Sequence, residues 1–174
     1  AYAAVTQSGL SFDRQLWMRP EIIPGLRKLT DAIHAEGAAA GIQLGHCGNM
    51  SHKSICGCTP VGASSGFNLY SPTFVRGLRA GELPEMARAY GKAVNLAREA
   101  GFDAVEIHAG HGYLISQFLS PSTNHRKDEF GGSLENRMRF MDMVMDEVMK
   151  AAGSDMAVLV KMLSLIHISE PTRL

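Results

Sequence analysis

Strand-like and helix-like segments alternate along this chain, and this alternation constrains the fold more than any other feature. Apolar residues recur at helical spacing over 20–36, 84–100 and 133–152. Short apolar runs typical of buried strands lie at 39–44, 103–108 and 156–161, and 1–5 fits the end of a further strand. Because strands and helices alternate, this order predicts a parallel sheet with right-handed crossovers.

The lengths of the connections distinguish between the parallel-sheet folds. Two long segments without periodicity, 45–83 and 111–132, follow predicted strands, whereas the helix-to-strand links are very short. Long loops after strands are typical of a (β/α)₈ barrel, and no G-x-G-x-x-G sequence supports a dinucleotide-binding sheet. Since a complete barrel needs about 250 residues, the 174 residues predict an α/β fold that is a partial (β/α)₈ TIM barrel, about strands 2–5 of eight.

The helical spacing also predicts which helix residues are buried. The expected positions are Ile22, Leu26, Leu29 and Ile33, then Met86, Tyr90, Ala93 or Val94 and Ala97, then Leu134, Met138, Met141, Met145 and Val148.

Strand alternation predicts which polar side chains face the inside of the barrel. Ile42, Leu44 and the other aliphatic residues should lie under the helices, so the opposite face should point inward. Gln43, His108 and Lys161 are on that face, near the carboxyl ends of their strands. An amide, an imidazole and an ammonium at one mouth indicate a polar, planar ligand.

The segment HAGHGY, from His108 to Tyr113, directly follows a predicted strand and contains two imidazoles and a phenol. His108 and His111 can both donate hydrogen bonds to one oxygen, and Tyr113 can supply a proton to a neighbouring atom. This combination suits polarisation of a carbonyl group. The structural alternative is a turn with two capping histidines and a packed tyrosine.

Several longer motifs give this interpretation a family context. The segments GIQLGH at 41–46, AREAGFDAVEIHAGHGYL at 97–114, QFLSP at 117–121 and NHRKDEFGGSLENR at 124–137 closely resemble the Old Yellow Enzyme family. That family consists of FMN-dependent ene-reductases on a TIM barrel. The resemblance covers residue 1 to about residue 162.

The resemblance implies a role for each candidate residue. Gln43 would bind the pyrimidine end of FMN, and Lys161 falls where the family often has an arginine beside the same ring. His108 and His111 would hold the carbonyl oxygen of an enone or enoyl substrate, and Tyr113 would protonate the alkene. The implied activity is reduction of the C=C bond of α,β-unsaturated carbonyl compounds, with NAD(P)H as the reductant.

Two alternatives stay open. One is the branch of the family that contains dienoyl-CoA reductases and amine dehydrogenases, whose 4Fe-4S cluster would lie downstream of this sequence. The other is a non-catalytic metal-binding or interaction module on a barrel scaffold. It is suggested by His46, Cys47, His52, Cys56 and Cys58, although their spacing matches no standard zinc motif. We expect no metal there and interpret these residues as a reduced loop at the rim of the site.

Arg126 with Asp128 or Glu129 is expected to be a structural ion pair.

The sequence also predicts domain boundaries. Residues 1–162 are expected to form an incomplete FMN oxidoreductase barrel. The tail at 163–174 does not continue the barrel pattern and is interpreted as translated adapter read-through, with a divergent loop as the alternative. Because the phosphate-binding site is expected near strands seven and eight, we expect this fragment to be inactive.

Composition limits the partners. Lys+Arg and Asp+Glu both number 17, so no charge excess favours nucleic acid, and no apolar run predicts a membrane span or signal peptide. Three cysteines, an odd number, favour a reducing compartment and hence the cytoplasm. The expected partner is a small molecule, and the sequence does not determine the oligomeric state.

Overall fold

The computed structural model describes residues 2–69 and 72–163 of the chain. The strands are β1 (Tyr2–Ala4), β2 (Gly41–Gly45), β3 (Val61–Gly62), β4 (Gly66–Asn68), β5 (Thr73–Gly77), β6 (Ala104–His108) and β7 (Ala157–Lys161). The helices are α1 (Ile23–Ala35), α2 (Lys53–Cys56), α3 (Leu83–Glu99), α4 (Leu114–Leu119) and α5 (Leu134–Ala152). The predicted elements are all present, with ends shifted by a few residues.

The main sheet confirms the predicted α/β architecture. Its strands lie in the order β1-β2-β6-β7, and each pair of neighbours is parallel. The long helices α1, α3 and α5 connect these strands, and the apolar side of the sheet is buried. The sheet is an open arc of a barrel, and the carboxyl ends of its strands meet at one edge.

Glycine stops and a serine cap set the helix ends at the predicted places. Gly37 and Gly101 adopt φ values of +76° and +86° just after α1 and α3, a conformation in which glycine carries no Cβ penalty. At the start of α5 the Ser133 hydroxyl accepts from the Asn136 backbone N–H at 3.3 Å. These local signals make the helix-to-strand links short.

The helices α3 and α5 pack closely on each other outside the sheet. A Cβ at Gly91 in α3 would lie 3.0 Å from the carbonyl oxygen of Glu147 in α5, so glycine permits this approach. The Arg98 guanidinium donates to the Ala151 carbonyl at 2.9 Å across the same interface. The pair of helices covers one side of the sheet.

The buried faces of two helices differ from the prediction. In α5 the buried residues are Phe140, Val144, Val148, Ala151 and Ala152, whereas Leu134 and Met138 are exposed. In α1, Leu29 is exposed and Thr30 is fully buried, where its hydroxyl is satisfied by donating to the Ala100 carbonyl at 2.7 Å. In α3 the predicted positions are buried, with Met86 half-buried at the margin.

Both segments predicted to be irregular loops contain regular structure, so that prediction was wrong. Residues 45–83 contain α2 and a second sheet in the order β3-β5-β4. Residues 111–132 contain α4, all six residues of which are buried. A helix that is buried on every side has no amphipathic period, and strands of two or three residues are too short to show alternation.

The predicted tail lies almost wholly outside the described residues. The described chain ends at Leu163, which lies near Gly110: a Cβ there would be 3.1 Å from the Leu163 Cγ. The interpretation of 163–174 as read-through stays a prediction.

Candidate active site

Strand register places the predicted inward residues on one face of the main sheet. Gln43 pairs with Tyr2 on one side and with Glu106 on the other. His108 lies two residues after Glu106, on the same face, and pairs with Lys161. Paired residues of parallel strands point to the same side of a sheet. Gln43, His108 and Lys161 are therefore brought together on the inner face, at two successive levels.

The Gln43 side chain has a polar partner that sequence reasoning did not select. Its amide nitrogen Nε2 donates to Oε1 of Glu106 on the neighbouring strand. A carboxylate only accepts, so this contact fixes which end of the amide faces Glu106. The amide oxygen of Gln43 is left to accept from a ligand. With Tyr2, Gly41 and Leu159, the pair lines a cavity of about 460 Å³ on the inner face. Glu106 could have been predicted as a site residue, because side-chain alternation in β6 places it on the same face as His108.

His108 is buried at the end of β6 and lies against His111. The two rings stack with centroids 4.9 Å apart, and His111 Nδ1 lies 3.1 Å from His108 Nε2. The other ring nitrogen of His108, Nδ1, is buried without a hydrogen-bond partner among the described residues. Burial, the neighbouring His111 and the Lys161 charge lower the pKa of His108 to about 4. At neutral pH, His108 is an uncharged imidazole that can donate one hydrogen bond.

The turn that carries His111 has a strained backbone. His111 has φ +55°, in the left-handed region that non-glycine residues rarely adopt, and Gly112 follows with φ +69°. Backbone strain of this kind costs energy and persists where the surroundings impose it. This left-handed turn brings the His111 ring beside the His108 ring.

The buried amide of Gln117 in α4 supports this turn. Its Nε2, which carries two hydrogens, lies within hydrogen-bond distance of three acceptors: the Gly112 carbonyl at 2.6 Å, Asn49 Oδ1 at 2.9 Å and the Cys47 carbonyl at 3.2 Å. The segment after β2 is thereby tied to the segment after β6. Gln117 belongs to the QFLSP motif, but no local pattern predicts this role for it.

Tyr113 completes the group at the end of β6. Its ring lies 4.9 Å from the ring of His108 in a T-shaped arrangement and 5.8 Å from the ring of Tyr2. The side chain is half-buried, at the start of α4. A Cβ on Gly45 would lie 2.8 Å from the Tyr2 ring and 3.0 Å from the His108 Cβ. Glycine at this strand end therefore allows Tyr2 and His108 to approach each other.

A second cavity, of about 640 Å³, opens beside His111. Polar side chains from α4 and the segment after it line one side, and Phe67 and Leu69 of the β4 region line another. Both of these apolar side chains are exposed. His111 thus borders a cavity whose walls are partly polar and partly apolar.

The histidines and cysteines of the possible metal cluster are not arranged around one point. His46 is fully buried and uses both ring nitrogens: Nδ1 accepts from the Gly48 N–H at 2.9 Å, and Nε2 lies 3.0 Å from Ser8 Oγ. Cys47 is buried and donates to the Leu10 carbonyl at 3.2 Å. Within the described part of the chain, no three His, Cys, Asp or Glu side chains are grouped as metal ligands.

The predicted structural ion pair is confirmed. Arg126 contacts Asp128 through both ends of its guanidinium, with Nε–Oδ1 and Nη2–Oδ2 distances of 2.9 and 2.6 Å. The Arg126 side chain is buried, and the ion pair lowers the pKa of Asp128.

Comparisons with known proteins agree with this architecture. Residues 1–171 match the profile of the NADH:flavin oxidoreductase / NADH oxidase family. The chain is 38% identical over 161 residues to 4,4'-dithiodibutanoate disulfide reductase of Rhodococcus erythropolis, covering 92% of this chain and 40% of that protein. It is 42% identical over 147 residues to NADPH dehydrogenase of Bacillus subtilis, covering 84% of this chain and 43% of that protein.

Solved structures give the same result. An old yellow enzyme homologue from Zymomonas mobilis superimposes with a TM-score of 0.87 at 33% identity, covering 92% of this chain and 48% of that one. Morphinone reductase in complex with tetrahydroNAD also gives 0.87, at 30% identity, covering 92% and 49%. The chain spans about two fifths to one half of the length of these relatives.

These matches define a class: flavin-dependent oxidoreductases of the Old Yellow Enzyme type, which use FMN and NAD(P)H on a TIM barrel. The chain belongs to the NADH:flavin oxidoreductase / NADH oxidase family. The predicted family and fold class are thus confirmed, and the described part of the chain is a segment of the barrel. None of its described helices is long and apolar enough to cross a membrane.

The residues on the inner face fit a flavin. Gln43 presents an amide oxygen, and Lys161 presents a positive charge beside His108. The buried His108 Nδ1 has no partner among the described residues, as expected of a polar group that faces a ligand site. The acceptor of Gln43 and the cation of Lys161 match polar groups along the edge of a flavin ring.

Proposed function

We propose that the complete protein reduces the C=C bond of α,β-unsaturated carbonyl compounds with NAD(P)H, and that this chain supplies the residues that hold and protonate the substrate. The observation that carries the proposal is the group at the end of β6. Uncharged His108 lies 3.1 Å from His111, and the Tyr113 ring lies 4.9 Å from the ring of His108.

We assign flavin binding to Gln43 and Lys161. When bound, FMN supplies hydride transfer between the nicotinamide and the substrate. The Gln43 oxygen accepts from the ring edge, with its orientation set by the bond to Glu106. The Lys161 ammonium favours negative charge on the ring. A lysine keeps the charge of the arginine that is common in the family, without its two-pronged geometry.

His108 and His111 hold the substrate oxygen. One nitrogen of each ring lies at the contact between the two rings, so a carbonyl oxygen that replaces this internal hydrogen bond could be held by both. Hydrogen bonds from both rings to a carbonyl oxygen stabilise the negative charge that develops there during reduction. The low pKa of His108 keeps this ring a neutral donor at physiological pH.

Tyr113 donates the proton. Its phenol is half-buried next to His108, and so it lies beside the atoms adjacent to a carbonyl held by the two imidazoles. General acids positioned in this way contribute about 10²–10⁴-fold to a rate.

The imidazole pair supports a carbonyl substrate over the alternatives. An amine has no oxygen for two N–H donors to hold, which makes the amine dehydrogenase branch a poorer match. A metal-binding module is also a poorer match, because both ring nitrogens of His46 already contact protein atoms. We place the protein in the cytoplasm, since its three cysteines are free thiols.

Substitution of Tyr113 tests the proposal. In the complete barrel protein, Tyr113→Phe removes the proton and keeps the ring. Flavin reduction by NAD(P)H should be unchanged, and reoxidation by an enone should slow by about 10²–10⁴-fold. Stopped-flow absorbance of the flavin separates these two half-reactions.

Tyr90 provides the matched control for this experiment. It is a fully buried tyrosine of α3 outside the proposed site, so Tyr90→Phe should leave both half-reactions as they are. An unchanged reoxidation rate in the Tyr113 variant would show that another group delivers the proton, and would return Tyr113 to a packing role.

A further inference from the structure

Two cysteines that the proposed site does not use lie side by side at the end of α2. Cys58 Sγ donates to Cys56 Sγ at 3.7 Å, and Cys56 Sγ donates to the Cys58 carbonyl at 3.2 Å. Gly57 between them has φ +73°, which folds the chain back and directs the two side chains toward each other. The two thiols are therefore already in contact in the reduced protein.

The two thiols differ in their exposure to solvent. Cys56 is 1% exposed, whereas Cys58 is exposed. Cys58 also lines a cavity of about 610 Å³, together with Thr6, Ser8 and Arg76. A dissolved molecule can reach Cys58 directly, whereas Cys56 is shielded from solvent and contacts the Cys58 sulfur.

The environment of Cys58 contains a cation. Partial burial and the Cys56 thiol raise the pKa of Cys58, and the Arg76 guanidinium acts in the opposite direction. Arg76 also binds Glu82 at 2.7 Å, which holds the guanidinium at this cavity. The thiolate of Cys58, once formed, therefore has the Arg76 guanidinium nearby, itself paired with the Glu82 carboxylate.

We propose that Cys56 and Cys58 form a dithiol–disulfide pair that exchanges with small organic disulfides. Cys58 is the attacking thiol, because it is accessible. Cys56 is the resolving thiol, because it is buried and in contact with the Cys58 sulfur. This pair stands apart from the His108 group, so the inference is independent of the proposed enone reduction.

The exchange consists of two steps. The Cys58 thiolate attacks one sulfur of R–S–S–R, which breaks that bond, forms a mixed disulfide on Cys58 and releases R–S⁻. Cys56 then gives up its proton and attacks the Cys58 sulfur, which forms the Cys56–Cys58 disulfide and releases the second R–S⁻. The protein loses two electrons and two protons, and the organic disulfide becomes two thiols.

Oxidised glutathione is a suitable probe. After reaction with the folded protein, remaining thiols are alkylated in denaturant and the chain is cut with trypsin. The peptide 54–76 contains both Cys56 and Cys58, whereas Cys47 lies in a different peptide, 29–53. We expect peptide 54–76 to become lighter by two hydrogen atoms and to resist alkylation. The Cys47 peptide should remain fully alkylated, because its thiol is buried.

Single variants separate the two steps. Cys56→Ser should stop at a stable glutathione adduct on Cys58, and Cys58→Ser should not react at position 56. Cys47→Ser should behave as the unsubstituted protein does. Circular dichroism confirms that each variant is folded. The second step should also slow several-fold in urea, where the contact between the thiols is lost.

Three results would overturn the inference. They are a glutathione adduct on Cys58 that persists in the unsubstituted protein, the absence of any reaction in peptide 54–76, and an unchanged rate of disulfide closure in urea.

Discussion

At the scale of single residues, His46 shows how hydrogen bonds select one form of an ionisable group. Because the Gly48 N–H donates to Nδ1 at 2.9 Å, that nitrogen carries no proton. The proton is therefore on Nε2, 3.0 Å from the Ser8 hydroxyl. If Nδ1 were protonated, its N–H would face the Gly48 N–H in a fully buried site, with no acceptor between the two donors. Burial accordingly lowers the pKa of His46 to about 3.

This leads to a prediction about acid stability. An unfolded histidine has a pKa of about 6.5, so the unfolded chain binds more protons than the folded one between pH 6.5 and 3. The free energy of unfolding should therefore fall as pH decreases through this range. His108 acts in the same direction, since its pKa is also lowered.

Urea unfolding of His46→Asn from pH 7 to 4.5 measures the contribution of His46. Asparagine keeps an acceptor near the position of Nδ1 but does not titrate. The variant should be less stable at pH 7 and should lose stability less steeply on acidification. An equally steep loss in the variant would mean that His46 does not cause the pH dependence.

The sequence alone predicts which face of the sheet most candidate site residues occupy. It does not predict the contacts of Glu106 and Gln117. Gln43, His108 and Lys161 could be placed on one face because the alternation of side chains is a local property of a strand. Glu106 as the partner of Gln43 depends on the register between β2 and β6. The bonds of Gln117 depend on how two separate loops meet. Register and loop packing are set by the whole fold, and no local pattern encodes them.

At the scale of elements, Arg126 joins the two long segments that follow β2 and β6. Besides its ion pair with Asp128, its Nη1 donates to the Ala63 carbonyl at 2.9 Å and to the Leu78 carbonyl. Its guanidinium also lies over Phe118 in α4, 5.5 Å from the ring centroid. One side chain thus fixes the position of the small β3-β5-β4 sheet relative to α4.

Loss of this side chain should cost much more than loss of a surface ion pair. Removing one member of a buried pair costs about 3–5 kcal/mol. We expect about 2–3 kcal/mol for Arg126→Met, because Asp128 is 34% exposed and partly screened. Arg88→Met is the matched control, since Arg88 binds Glu85 on the exposed surface of α3. It should cost at most about 0.5 kcal/mol.

Chemical denaturation of both variants checks this expectation. Equal losses of stability in the two would indicate that Arg126 does not hold the loops together.

The elements with a regular period were predictable, and the short ones were not. The long helices and the main strands carry apolar repeats that extend over several turns or residues. The strands β3, β4 and β5 are stabilised by their pairing with one another. The helix α4 is stabilised by burial on all sides. Such segments take their structure from tertiary contacts, so their own residues predict only a loop.

At the scale of the whole molecule, the described sheet has one covered and one open face. Val105 and Ile107 are fully buried on the helix side, whereas Leu159 on the inner face is half exposed. Gln43 and Glu106 lie on this open face next to Leu159. In a closed barrel, strands from the remainder of the relatives' length would stand opposite these residues.

We therefore expect the 174-residue chain by itself to bind FMN weakly. Compared with a complete barrel of the family, its Kd should be higher by about 100-fold or more, which corresponds to the loss of about 3 kcal/mol of contacts. Quenching of flavin fluorescence on titration with protein measures both constants. Equal affinities would show that the inner face described here is sufficient for flavin binding.

The contact between His108 and His111 has a consequence for any ligand that would use both rings as donors. One nitrogen of this pair donates and the other accepts, so the two rings satisfy each other before a ligand arrives. A ligand oxygen has to replace that internal bond and leave both rings as donors, which requires one ring to exchange its tautomer. A strongly basic oxygen would offset this exchange more than a weakly basic one, so we expect the pair to discriminate between ligand oxygens by their basicity.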